Sequence, residues 1–120
     1  DDARVVAAET RTTNALGAAL DAGHPVAVDV GGVAADSLGA AMVGEIAFEA
    51  ARRWVDAAVV VDDADVIEAQ RWLWRQARLV AEPGAATALA AVLSEACGVA
   101  PSERVCVVVS GANTDPASVG

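Results

Sequence analysis

Apolar positions along this chain form two kinds of run: short β-branched stretches, and longer stretches spaced like a helix. Residues 4–9, 57–61 and 105–109 are of the first kind, and each predicts a strand, the last of them buried. A further extended piece over 26–30 follows the turn at His24-Pro25, where the lone His24 reads as a surface turn residue. Helical spacing begins at Leu16 and Leu20, after a cap at Thr12 or Thr13, and stops at Gly23. A second helix over 44–54 places Ile46, Phe48, Ala50 and Trp54 as its apolar positions. A third runs through Val66, Ile67, Ala69, Leu73, Ala77 and Val80, with Trp72 and Trp74 at its sides. Pro83 suits the first turn of a fourth, over 84–96. That helix is so uniformly small and apolar that it must be buried on most sides, or let something approach the free N–H groups at its start.

Between these elements, residues 31–39 read as a loop in which Asp36 and Ser37 cap a short helix, and 97–103 as a disordered linker. The order of strands and helices predicts an α/β fold, helices packed around a mostly parallel sheet. The run 105–109 breaks at once into Ser110-Gly111-Ala112-Asn113. Ligands in open α/β sheets bind where strands end, so this is a candidate binding edge.

Composition narrows the function classes. The chain has 120 residues, enough for one domain, and 55% of them are hydrophobic, mostly Ala and Val. Its net charge is −9, a field that repels nucleic acid and anionic membranes, so neither is an expected partner. No apolar run has the length of a bilayer span. Asp1-Asp2-Ala3-Arg4 lacks the pattern of a signal peptide, and no Met precedes it, so a cytoplasmic chain cut from something longer is the expectation. Cys97 and Cys106 are then expected as reduced core residues. Asp62, Asp63 and Asp65 precede a helix with neither the glycine nor the distal acid of a calcium loop, so they read as caps.

Two segments taken together are more specific. Leu79-Val80-Ala81-Glu82-Pro83-Gly84-Ala85-Ala86, followed by Val107-Val108-Val109-Ser110-Gly111-Ala112-Asn113, resembles the C-terminal part of the serine/threonine dehydratase family. These are fold-type II pyridoxal-phosphate enzymes related to threonine deaminase and serine racemase. Val33-Ala34-Ala35-Asp36-Ser37-Leu38-Gly39 with Val43-Gly44-Glu45 is similar to the family's loop beside the active site. The strand-to-helix step over 59–69 fits as well. The resemblance implies that residues 1–120 are a C-terminal portion of the family's large domain. It implies pyridoxal 5'-phosphate as cofactor and serine or threonine as the hydroxy amino acid substrate, converted to a 2-oxo acid and ammonia. Ser110 would hydrogen-bond the pyridine nitrogen; Gly111, Asn113 and Glu82 would border the cofactor; Asp36, Ser37 and Gly39 would border the substrate.

The resemblance also marks what is missing. Some relatives bind a divalent cation through a glutamate, matched here by Glu9, and an aspartate, replaced here by Ala15, so no metal site is expected. The family's lysine, which bonds the cofactor and moves the α-proton, has no counterpart, because every basic residue except His24 is an arginine. Its Gly-rich phosphate run is absent too. The chain alone is therefore expected to be inactive and to partner a lysine-bearing N-terminal half, in an enzyme that forms a homo-oligomer when full length. Open edges and bare apolar faces would make the isolated chain poorly soluble or self-associating. The alternative is a degenerate or split-subunit α/β module that acts by protein–protein interaction.

Overall fold

Two β-branched runs find each other. In a computed structural model, which describes residues 3–119, β1 (Val6–Thr10) and β2 (Ala57–Val61) pair in parallel, Val6 opposite Ala57 through Thr10 opposite Val61. Asp1 and Asp2, read above as part of an unexported start, lie outside the described residues. The parallel pairing requires a crossover. It is made by α1 (Ala15–Ala22), α2 (Ala35–Leu38) and α3 (Glu45–Trp54). After β2 the chain continues through α4 (Asp63–Trp72), a π-helical turn (Leu73–Ala77), α5 (Pro83–Leu93) and a 3-10 turn (Pro116–Val119). The α/β class, with a small parallel sheet and flanking helices, agrees with the expectation.

The core lies where α4 and α5 pack on each other and on the sheet. Val61, Val66, Ala69, Leu73, Ala81, Ala86, Leu89 and Ala90 are buried there. The small residues of α5 let helix and sheet approach closely, and full burial of a side chain such as Val66 contributes about 1.5–3 kcal/mol. The carboxamide of Gln70, itself buried, donates to the carbonyl oxygen of Ala81 at 2.7 Å and fixes the entry to α5. Asp62 and Asp65 form a reciprocal capping box at the start of α4, as two of the three aspartates were expected to do.

Several local expectations are corrected. Residues 105–109 do not form a strand. Val105, Val108 and Val109 are exposed, and Val107 alone of the run is half-buried against the core. A strand needs a partner for its backbone groups, and among the described residues none from 104 to 110 has a backbone hydrogen bond. The stretch 97–103 is turned rather than disordered: the N–H of Cys97 bonds Ala91, that of Gly98 bonds Glu95, and that of Glu103 bonds Ala100. In α3, Phe48 and Ala51 face inward, whereas Ile46 is 89% and Trp54 73% exposed; the buried pair is spaced by three residues and leaves the other two off its stripe. Cys97 packs on the core, but Cys106 is exposed because the run that carries it has no strand to join. Both thiols are free. His24 sits exposed in its turn, as expected.

Candidate functional site

Separated segments meet at the start of α5. Glu82 is its N-cap and Pro83 its first residue, a position where a missing N–H costs nothing. The N–H of Gly84 donates to the Ser37 hydroxyl at 2.8 Å, and that of Ala86 to the Glu82 carbonyl oxygen at 3.0 Å. The N–H of Glu82 in turn donates to the carbonyl oxygen of Gly111 at 3.1 Å. The stretches around Ser37, Glu82 and Gly111 are thereby joined at one corner. At the α5 N-terminus Pro83 has no N–H and Gly84 has committed its own to Ser37, which leaves the Ala85 N–H as the first-turn donor without a partner among the described residues.

The individual side chains divide sharply. Glu82 lies along Gly111, where a Cβ would overlap its carboxylate; only glycine permits that approach. Ser110 is exposed, and among the described residues its hydroxyl has no hydrogen-bond partner. Asn113 is also exposed and is not drawn into the corner. Asp36 and Ser37 sit inside α2, whose N-cap is Ala34, so neither caps it as expected. Ser37 instead caps α5 across the fold, while Asp36 points to solvent. Gly39 ends α2 so tightly that a Cβ would run into the Ala35 carbonyl oxygen.

Other residues build the floor of this region without having been singled out for it. Asp63, expected as a helix cap, accepts from the N–H of Val33 at 3.0 Å. Thr12, expected to cap α1, donates its hydroxyl to the Gly31 carbonyl oxygen at 2.8 Å. Together they hold the 31–33 loop against the C-terminal ends of β1 and β2, the end at which α/β sheets bind ligands. The cap of α1 comes from Glu9. Its two carboxylate oxygens accept from the N–H groups of Leu16 and Gly17, each at 2.8 Å. For Asp63 and Thr12 a signal existed, a short polar residue just after a strand, but its partner is distant in sequence; Glu9 lies inside β1 and carried no such signal.

Burial pushes the Cys97 thiol up from its ordinary value, with Arg4 opposing. The exposed Arg11 guanidinium, paired with Asp62, is raised by that hydrogen bond.

An α/β piece with a polar corner at its strand ends defines a class of ligand-binding fold, and comparison with known proteins gives the family. The profile of the pyridoxal-phosphate dependent enzymes matches residues 1–111. The chain belongs to that family, as a fold-type II member related to threonine dehydratase and serine racemase. It is 34% identical over 113 residues to the biosynthetic L-threonine dehydratase of Escherichia coli (strain K12), covering 93% of this chain and 22% of that protein. To the phenylserine dehydratase of Ralstonia pickettii it is 34% identical over 115 residues, covering 96% of this chain and 35% of that protein. The structure of maize serine racemase superposes with a TM-score of 0.86 at 27% identity, covering 97% of this chain and 36% of that one. The chain thus spans about a fifth to a third of these relatives.

The residues present suit one side of pyridoxal phosphate. The exposed Ser110 hydroxyl, with no partner among the described residues, is free to bond a ring nitrogen, and beside it the Glu82 carboxylate lies along Gly111. A covalent anchor is not among them, since the sequence contains no lysine.

Proposed function

We propose that this chain is the C-terminal portion of the large domain of a serine/threonine dehydratase, and that it supplies the ring-nitrogen wall of the cofactor pocket. The observation that carries the reading is the contact between Glu82 and Gly111, which joins the two segments most like the family and sets Ser110 at the open rim. Bound pyridoxal phosphate supplies the electron sink for bond cleavage at the substrate α-carbon. Ser110 donates a hydrogen bond to the pyridine nitrogen and, being neutral, does not hold it protonated. That weakens the sink and favours elimination over transamination. Gly111 and Asn113 shape the same edge, and Glu82 borders the ring. Asp36 and Gly39 line the substrate side, where Ser37 acts as a positioning residue by tying α2 to α5. Serine or threonine would lose water to give an enamine, whose imine tautomer takes back one water as it releases ammonia and becomes the 2-oxo acid, with the lysine and the phosphate-binding loop supplied by an N-terminal half. A cytoplasmic homo-oligomer is part of the same proposal.

The test combines the chain with the lysine-bearing part of a family dehydratase and pyridoxal phosphate. A cofactor absorbance band and ammonia release from serine are expected. Ser110→Ala should weaken cofactor binding about tenfold, the loss of one hydrogen bond, while the exposed position leaves folding unchanged. Absence of both band and ammonia overturns the reading and favours a module that acts by protein–protein interaction.

A further inference from the structure

Two side chains, one from beyond each strand, converge on Gly32. This glycine has a left-handed backbone, φ +75°, and a Cβ built on it would lie 2.6 Å from the Thr12 hydroxyl oxygen and 2.6 Å from a carboxylate oxygen of Asp63. Any side chain there would strain the backbone and collide with both, so glycine is what lets the two close on the loop. Thr12 lies just past β1, and Asp63 opens α4 just past β2. Thr12 holds Gly31 twice: its carbonyl oxygen accepts from the Gly31 N–H at 3.0 Å, and its hydroxyl donates to the Gly31 carbonyl oxygen at 2.8 Å. On the other side of the glycine, the Val33 N–H donates to the half-buried Asp63 carboxylate at 3.0 Å.

The loop runs straight into α2, which has only four residues. A helix that short has no stability of its own, because fixing one turn orders more dihedrals than its hydrogen bonds offset. Its place is set by its anchors. These are the Thr12 and Asp63 bonds at one end, the fully buried Ala34, and the Ser37–Gly84 bond near the other end. Asp36 stands between them with its side chain in solvent, so its position follows from theirs. The anchors differ in what else they hold. Ser37 is tied to α5 beside Glu82, whose N–H bonds Gly111, so its loss reaches the cofactor side. Thr12 and Asp63 hold the loop alone: among the described residues neither side chain has another hydrogen bond.

We infer that Asp63 and Thr12 are positioning residues for the amino acid substrate. By clamping Val33 and Gly31 about Gly32 they set where α2 holds Asp36, while the wall at Ser110 stands without them. Asp63 acts here as an acceptor, and its charge is not required. This role rests on the proposal that Asp36 and Gly39 line the substrate side of a dehydratase.

The test uses this chain combined with the lysine-bearing part of a family dehydratase and pyridoxal phosphate. Asp63→Ala removes the acceptor and is expected to raise the KM for serine about tenfold, with kcat changed less than about twofold and the cofactor band titrating as before. Asp63→Asn keeps an acceptor oxygen and loses the charge, so its KM should stay near that of the unsubstituted chain. If Asp63 served only the dipole of α4, the two variants would behave alike. Thr12→Val, at an exposed position, should raise KM about threefold and keeps the test open if Asp63→Ala does not fold. On the isotope-labelled chain, exchange of the Val33 amide should quicken about tenfold in Asp63→Ala and not in Asp63→Asn. A KM unmoved by Asp63→Ala and Thr12→Val, an equal rise in Asp63→Ala and Asp63→Asn, or a weakened cofactor band overturns the positioning role and leaves the dehydratase reading standing. No ammonia from the unsubstituted mixture removes that reading and the substrate role with it; a quickened Val33 amide would then mark the clamp as purely structural.

Discussion

Glu9 and Glu82 are both half-buried glutamates that precede a helix, yet the fold uses them in opposite ways. Glu9 commits both carboxylate oxygens to the first turn of α1, where the helix dipole favours a negative charge. Glu82 gives its backbone to the fold, through Gly111 and Ala86, and leaves its carboxylate along the glycine with no donor among the described residues. A carboxylate satisfied by the protein is structural. One held in place only by its backbone is available to a ligand. The same division separates Ser37, whose hydroxyl is bonded to Gly84, from Ser110, whose hydroxyl is not.

Removing the bonded carboxylate should have the largest effect. Glu9→Ala leaves two N–H groups of α1 without their acceptor and is expected to cost about 2 kcal/mol in urea unfolding, as a lost charged cap does. Glu82→Ala should stay within about 0.5 kcal/mol, because its side chain makes no bond that folding depends on. Equal losses for the two variants would break the comparison. A cost at Glu82 above that at Glu9 would reverse it.

The serine pair gives a smaller effect of the same kind. Ser37→Ala removes the acceptor of the Gly84 N–H and should cost about 1 kcal/mol, read as a lowered denaturation midpoint. The loss should also appear as faster exchange of the Gly84 amide, which a merely local change in α2 would not produce. An unchanged Gly84 amide would mean that Ser37 does not hold α2 to α5.

What was legible in the sequence depended on whether a segment found a backbone partner in the fold. The runs at 57–61 and near 4–9 predicted strands and became β2 and β1, because each found the other. The run 105–109 is equally β-branched and failed, because a strand is a property of a pair. The Ala-rich helix was readable as buried, and Ala85, Ala86, Ala90 and Ala91 are. The capping residues were read from local order, and there the reading slipped. Thr12, Ser37 and Asp63 each bond a backbone group brought close only by tertiary folding, and no spacing rule registers that. The likeness of the segments around Glu82 and Ser110 to one family named both sides of the corner, and the Glu82–Gly111 bond is where they join.

The two cysteines carry the smallest predicted effect and extend the contrast to a reagent that reports it directly. Both line a cavity beside β1, but Cys106 is exposed, whereas Cys97 is packed against the core with its thiol pushed up by burial. Thiolate is the reactive form, so an aromatic disulfide reagent near neutral pH should label Cys106 first and Cys97 later. Raising the pH into the thiol range ionises Cys97 and should narrow the interval between the two phases. The linkage has a definite sign. A thiol whose folded value is raised contributes stability below its unfolded value and loses that contribution as pH climbs through the folded one. Cys97→Ala should therefore flatten a slight alkaline decline in stability. Simultaneous labelling of both thiols at neutral pH would mean that Cys97 is as open as Cys106, and that the core does not close over it.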